Sequence, residues 1–178
     1  MSGVLAWRRR RFCRRSERAA VAVEFALVVP VLVMLLIGTI TTGVSYSQAL
    51  GVTNAVREGA RFGATANAAD ASWTTDVISR VRATQFDDPG LSTSVCVEFW
   101  QNGSMTKESC PSGGPGLTAA DKDRYELPPA PAGVCLVRVV AARNFTISAP
   151  PLFSGTARKL VRGSVARYER TDKVPSCA

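Results

Sequence analysis

The longest apolar stretch of the chain runs from Ala19 to Ile40, and Glu24 is the only ionisable residue in it. A helix rises about 1.5 Å per residue, so a run of this length is enough to cross a hydrocarbon core of about 30 Å. We therefore predict a transmembrane helix over residues 19–42, preceded by a short N-terminal segment over residues 1–18. Ser16 is the expected N-cap of this helix, because serine side chains readily accept hydrogen bonds from a first turn.

Charge is distributed very unevenly around this apolar run. The residues directly before the run include seven arginines: Arg8, Arg9, Arg10, Arg11, Arg14, Arg15 and Arg18. After the run, the first charged residue is Arg57. The positive-inside rule then keeps residues 1–18 in the cytoplasm as a basic leader and exports the C-terminus. The sequence thus predicts a single-pass protein of the cytoplasmic membrane, with membrane lipid as its first partner.

Small residues recur every four positions after the apolar run. They are Gly43, Ser47, Gly51, Ala55, Gly59 and Gly63, and no proline interrupts residues 43–66. We expect the helix to continue through this segment and to project from the membrane. Such a stripe lets another helix approach closely, so Gly51, Ala55, Gly59 and Gly63 are predicted packing positions, on the chain's own head or on a neighbour. The alternative is a simple bias towards small residues.

The pattern changes after Asn67–Asp70, where the long helix should end. A second, shorter helix is predicted within residues 70–86, with an apolar side formed by Trp73, Val77, Ile78 and Val81, and a turn at residues 87–90. Beyond this second helix, apolar residues recur at a spacing close to two. The strand candidates are STSVCVEFW, VCLVRVVAA, RKLVRGSVARYER and the start of NFTISAPPLF, and QNGS after the first of them is a predicted turn. KESCPSGGPG and the residues after it are expected to be mostly loop. Residues 67–178 are therefore expected to form a small α+β head with one helix and three or four antiparallel strands.

Four of the five cysteines lie in this head, where export would let disulfides persist. Four cysteines allow three connectivities, of which we favour Cys96–Cys110 with Cys135–Cys177. A bridge that closes a loop of about 15 residues stabilises a small domain by about 3 kcal/mol in the chain-entropy model. Because the chain has no C-x-x-C spacing and no histidine, no metal site is predicted.

Composition narrows the functional classes further. The net charge of +8 comes mostly from the seven N-terminal arginines, so no basic face spreads along a domain and nucleic acid is not an expected partner. The absence of histidine removes the commonest general base, and no nucleophile-elbow, Walker or Rossmann motif is present. Asp121, Asp123 and Glu126 lack the frame of a calcium loop and read as a solvated loop. We therefore expect a protein that is not an enzyme and uses no cofactor.

Two blocks of the N-terminal part resemble the TadE-like family, the minor pseudopilins of bacterial Tad (Flp) pilus systems. The first is AAVAVEFALVVPVLVMLLIG and the second is QALGVTNAVREGARFGA. The second block includes Arg57, Glu58 and Arg61, of which Glu58 and Arg61 are three apart, a spacing that allows a pair on a helix surface. The resemblance covers Arg14 to about Ala66 and gives no information about the head.

The resemblance implies processing by a prepilin peptidase between Ala19 and Ala20. Glu24 and Phe25 would then be residues five and six of the mature chain, and the Glu24 carboxylate would pair with the new N-terminal amine of a neighbouring subunit. The family usually has glycine before the cut, where this chain has Ala19.

The resemblance also implies a structural component of Tad/Flp pilus assembly or secretion, with other pilins or pseudopilins and the assembly machinery as partners. The alternative function is a single-pass, membrane-anchored extracytoplasmic binding module whose long helix is a stalk.

Overall fold

The computed structural model describes residues 5–84, 93–110, 116–125, 127, 133–149, 153–170, 172–174 and 177. These form two compact units, residues 1–43 and residues 44–178, which are described separately. Helix α1, Leu5–Thr65, contributes to both units.

The first unit is the N-terminal part of α1. The helix begins at Leu5, so the start predicted at Ser16 is wrong and Ser16 lies inside the helix. Arginine is a good helix former and residues 5–18 contain no proline or glycine, so nothing in the leader stops the helix. From Ala19 onwards α1 is long and apolar enough to cross a membrane. Its apolar side chains are exposed in the isolated chain, as a single-pass membrane anchor requires.

The second unit is an α+β head, as the sequence predicts. Helix α2, Trp73–Thr84, and a short helix α3, Ala119–Asp123, accompany four antiparallel strands. The strands are β1 (Thr93–Gln101), β2 (Ser104–Ser109), β3 (Cys135–Ala149) and β4 (Phe153–Arg167), in the sheet order β2-β1-β3-β4. The turn predicted at QNGS joins β1 to β2, with Asn102 and Gly103 both at positive φ.

The strands differ from the sequence predictions at two places. Residues 107–109, predicted as loop, belong to β2, whose side chains are mostly exposed and so carry no apolar alternation. The segment NFTISA is not a separate strand but continues β3, and it pairs only with β4 among the described strands. The turn predicted at residues 87–90 and the prolines after Ala149 lie outside the described residues.

The main core lies between one face of the sheet and the helices α1 and α2. Val52, Ala55, Val56 and Ala60 of α1 and all four apolar positions predicted for α2 are buried there. The sheet contributes alternate residues of β1 and β3, including Val97, Phe99, Val137 and Val139. On the opposite face, residues 116–125 with α3 cover Val140, Ala142 and Val161. β1 is therefore buried on both faces, which a simple alternating pattern does not predict.

Candidate functional site

The residues expected at the processing site all lie on exposed turns of α1. Ala19, Ala20, Glu24 and Phe25 are exposed, and Phe25 keeps 68% of its surface accessible. Pro30 lies inside the helix. Within the described part of the chain no cation is paired with Glu24. Among the described residues, this carboxylate therefore lies at the exposed surface of an apolar helix without a cationic partner.

The stripe of small residues changes its environment along α1. Gly38 and Gly43 have open space around the position of a Cβ atom. Gly51 is half-buried and Ala55 is fully buried in the head. Farther along α1, Gly59 and Gly63 pack against α2 and the sheet.

Gly59 and Gly63 mark the closest approach of α1 to the rest of the head. A Cβ atom on Gly59 would lie 2.2 Å from Cγ2 of Val81, and one on Gly63 would lie 3.0 Å from Cγ1 of Val137. Real Cβ atoms do not sit that close to a neighbour, so glycine is what allows α1 to contact α2 and β3 here. This end of α1 is a core element of the head.

The charged residues of the second motif divide between two environments. Glu58 accepts hydrogen bonds from Arg80 of α2, at 3.3 Å from Nε and 3.0 Å from Nη2. Arg57 and Arg61 are exposed, and no carboxylate among the described residues pairs with either of them. The pair Glu58–Arg61 that the helical spacing allows is therefore not formed.

The C-terminal end of α1 is held by two side-chain contacts that the sequence analysis does not predict. Trp73 donates its indole N–H to the carbonyl of Gly63 at 3.1 Å, and the Tyr168 hydroxyl accepts from the Ala68 N–H at 3.0 Å. The first contact satisfies a carbonyl group that the C-terminal end of a helix leaves free, and the second fixes the chain directly after the helix. Trp73 and Tyr168 also each pack edge-to-face with Phe99 of β1, which joins the helix end to the sheet.

The structure contains the two disulfides of the favoured pairing, Cys96–Cys110 and Cys135–Cys177. The first joins the two strands of the β1–β2 hairpin, and the second ties the C-terminal residues to the start of β3. Glu108 lies close to the first bridge, so Cys96, Glu108 and Cys110 could group around a metal ion if the cysteines were reduced. With the bridge formed there is no thiolate to bind a metal, and Glu108 instead pairs with Lys122 at 2.7 Å.

A buried ionic cluster lies on the sheet face opposite the α1–α2 core. Glu98, only 1% exposed, pairs with Arg138 directly across the β1–β3 ladder and lies 3.3 Å from the ammonium group of Lys122. Trp100 donates its indole N–H to the same carboxylate at 2.9 Å, and its ring lies beneath the Arg138 guanidinium. Hydrogen bonding to Glu108, followed by that to Glu98, raises the pKa of Lys122. The cluster fixes residues 116–125 to the sheet and leaves its charges compensated.

Asp121 is part of a second, smaller ionic contact. Its carboxylate pairs with Lys159 of β4 and forms a capping box with Thr118 at the start of α3. The Lys159 hydrogen bond, followed by those from Thr118, lowers the pKa of Asp121 to about 2. The prediction of a solvated loop is therefore wrong for Asp121, which is 9% exposed, because the cap and Lys159 hold it against the sheet.

Comparison with known proteins identifies the N-terminal part of the chain. Residues 19–61 match the model of the family described as TadE-like protein. The match begins at the predicted cleavage site, ends at Arg61, and leaves most of the head outside it. No curated protein and no solved structure matches the chain. Residues 19–61, which run from the apolar anchor into the core helix of the head, are therefore similar to TadE-like proteins, as the two sequence blocks indicate.

Proposed function

We propose that the chain is a minor pseudopilin, a non-enzymatic structural component of a Tad/Flp pilus assembly or secretion apparatus. The observation that carries this proposal is the TadE-like match over residues 19–61, because it includes both Glu24 and the Arg57–Arg61 motif. The match suggests a role related to Tad pili, and the single apolar helix of the structure supports a subunit anchored in a membrane.

The proposed location is the cytoplasmic membrane, with the arginine-rich leader inside and the disulfide-bonded head outside. This orientation follows the position of the arginines before the apolar run. The two disulfides support an exported head, because such bonds persist mainly in oxidising compartments.

Glu24 would act in assembly. A charge at the centre of a lone transmembrane helix costs about 3 kcal/mol on insertion scales, and less towards the interface. In the proposed mechanism, a prepilin peptidase cuts between Ala19 and Ala20, and the new amine of one subunit pairs with Glu24 of the next. In a medium of low dielectric this attraction is strong enough to favour one relative height of the two helices.

The experiment is complementation of a strain that lacks the chain, with the wild type, Glu24→Leu and Glu24→Asp. We expect Glu24→Leu to reach the membrane in wild-type amounts but to abolish filaments seen by electron microscopy, and Glu24→Asp to retain part of the assembly. Normal filaments in the strain without the chain would refute a role in assembly. Retained membrane insertion and normal filaments with Glu24→Leu would favour the membrane-anchored binding module.

Intact mass spectrometry of the protein purified from membranes tests the processing step separately. A chain that begins at Ala20 is expected. A chain that keeps the arginine leader would leave Glu24 without the amine that the mechanism requires.

A further inference from the structure

Strand β4 forms one edge of the sheet. It pairs with β3 on one side, and the register is continuous from Leu136 opposite Arg167 to Ile147 opposite Thr156. Among the described residues no backbone group bonds to the other side of β4 itself, whereas directly beyond the strand Glu169 donates its N–H to the Ala64 carbonyl of α1 at 3.0 Å. An edge of this kind presents a row of N–H and C=O groups that can template another strand.

The ladder shows which groups of β4 point outwards. In an antiparallel pair, residues that bond the neighbouring strand alternate with residues whose N–H and C=O point away. Tyr168, directly after β4, donates its N–H to the Cys135 carbonyl at 2.9 Å and so sets the parity. The outward-pointing residues are Val161, Gly163, Val165 and Arg167. Val161 agrees with this parity, because its carbonyl accepts a hydrogen bond from the Tyr125 hydroxyl at 2.9 Å.

The two edges of the sheet differ in their protection. β2 has six residues, and its register with β1 shifts between Phe99 and Trp100. Short length and such irregularities are common devices against strand addition. β4 has fifteen residues, and its register is unshifted over the part that follows Thr156. Tyr125 covers the edge at Val161, and its ring packs on the face of β4 at Gly163, where an added Cβ would lie 2.5 Å from Cγ of the ring. Among the described residues, the outward backbone groups of β4 are therefore open only from Gly163 to Arg167.

The charge of β4 selects what can pair with it. The strand carries Arg158, Lys159, Arg162 and Arg167 and no acidic residue. Lys159 is neutralised by Asp121, whereas no described carboxylate pairs with the three arginines. Like charges directly opposite one another destabilise strand pairs and opposite charges stabilise them. A second β4 strand is therefore disfavoured, and an acidic strand is favoured.

We propose that the edge of β4 over residues 163–167 binds an extended, acidic segment of a partner protein by strand addition. The outward backbone groups of Gly163, Val165 and Arg167 supply the main-chain hydrogen bonds, and the arginines supply the selectivity for acidic side chains. The inference concerns the head alone and does not depend on a role in pilus assembly.

The test uses the full chain in detergent micelles and two fluorescent peptides with blocked ends. One peptide alternates glutamate with valine, and the matched peptide has lysine in place of glutamate. We expect the fluorescence anisotropy of the glutamate peptide to rise to saturation and that of the lysine peptide to stay flat. Saturable binding of neither peptide, or equal binding of both, would overturn the proposal.

Variants of Val165 separate edge pairing from simple charge attraction. Val165→Pro removes an outward N–H but no bond of the β3–β4 ladder, so circular dichroism should be unchanged while the glutamate peptide binds at least about tenfold more weakly. Val165→Ala keeps the N–H and should bind within about twofold of the wild type. Equal binding by Val165→Pro and the wild type would overturn strand addition.

A charge-reversed variant decides the matter if Val165→Pro fails to fold. Arg162→Glu combined with Arg167→Glu should lose the glutamate peptide and gain the lysine peptide, and an unchanged preference would contradict the proposal. A chain dimer that forms with rising protein concentration and is lost in Val165→Pro would assign the edge to a second copy, and would equally refute the acidic partner.

Discussion

The carboxylate of Glu58 on α1 accepts two hydrogen bonds from the guanidinium of Arg80 on α2. The acidic residue of the TadE-like motif thus connects the two helices of the head and does not pair along its own helix. As a consequence Arg57 and Arg61 remain exposed on α1. Within this chain the motif therefore has one residue that makes a contact inside the head and two that face outwards.

A double-mutant cycle with Glu58→Gln and Arg80→Gln should give a coupling free energy below about 1 kcal/mol. The side chains of Arg80 and Glu58 are 54% and 34% exposed, and ion pairs at such sites contribute little. Urea unfolding of the wild type and the three variants in detergent measures it. The matched cycle with Arg61→Gln in place of Arg80→Gln should give a coupling near zero. A larger coupling of Glu58 to Arg61 than to Arg80 would contradict the observed pairing.

Gly59→Ala should destabilise the head by about 1–3 kcal/mol, although alanine is the better helix former. The added methyl group would collide with Cγ2 of Val81, which is fully buried. Urea unfolding is again the measurement.

Two further variants test the cause of that loss. Gly43→Ala is the helical control, because no atom lies within 4 Å of its added Cβ and no loss is expected. Combining Gly59→Ala with Val81→Ala should cost less than the sum of the single changes, since the shorter side chain removes the colliding atom. Strict additivity would show that the close approach of the two helices is not the reason for glycine at position 59.

The elements that sequence predicts well are those whose signal is local. The apolar run after Ala19 and the 3.6-residue spacing of Trp73, Val77 and Val81 each define a helix without knowledge of the rest of the chain. The open sheet of antiparallel strands follows from the change of period beyond α2. The loss of local signal explains the missed strand β2, which has exposed, polar side chains and depends on its hairpin partner.

The contacts that sequence does not predict depend on strand register and on distant residues. Glu98 meets Arg138 because β1 and β3 align in one register, and a shift by one residue would place them on opposite faces. Tyr168 reaches the end of α1 from a position a hundred residues farther along the chain.

The head should lose stability in acid through Asp121. Its folded pKa, about 2, is below the unfolded value of 3.8, so its stabilisation is present above pH 3.8 and is lost as the pH falls towards 2. Because Asp121 and Lys159 are partly solvated, we expect a contribution of about 1–2 kcal/mol.

Urea unfolding of the wild type and Asp121→Asn at pH 6 and pH 2.5 measures this contribution. The two proteins should differ at pH 6 and differ clearly less at pH 2.5, while Asp123→Asn, at an exposed position, should follow the wild type. A stability difference that does not change with pH would exclude titration of Asp121 as its cause.

Removing one partner of the buried pair Glu98–Arg138 should be far more damaging than removing both. Arg138→Met leaves Glu98, which is 1% exposed, with only Lys122 and Trp100 as partners, and uncompensated buried charges typically cost about 3–5 kcal/mol. Combining Arg138→Met with Glu98→Leu removes the buried carboxylate as well and should recover most of that loss, because the apolar side chains pack where the ions were. Thermal or urea unfolding of the single and double variants measures the difference. If the double variant were as unstable as the sum of the two single variants, the pair would stabilise the head through more than mutual charge compensation, and the ionic cluster would be a primary source of the fold's stability.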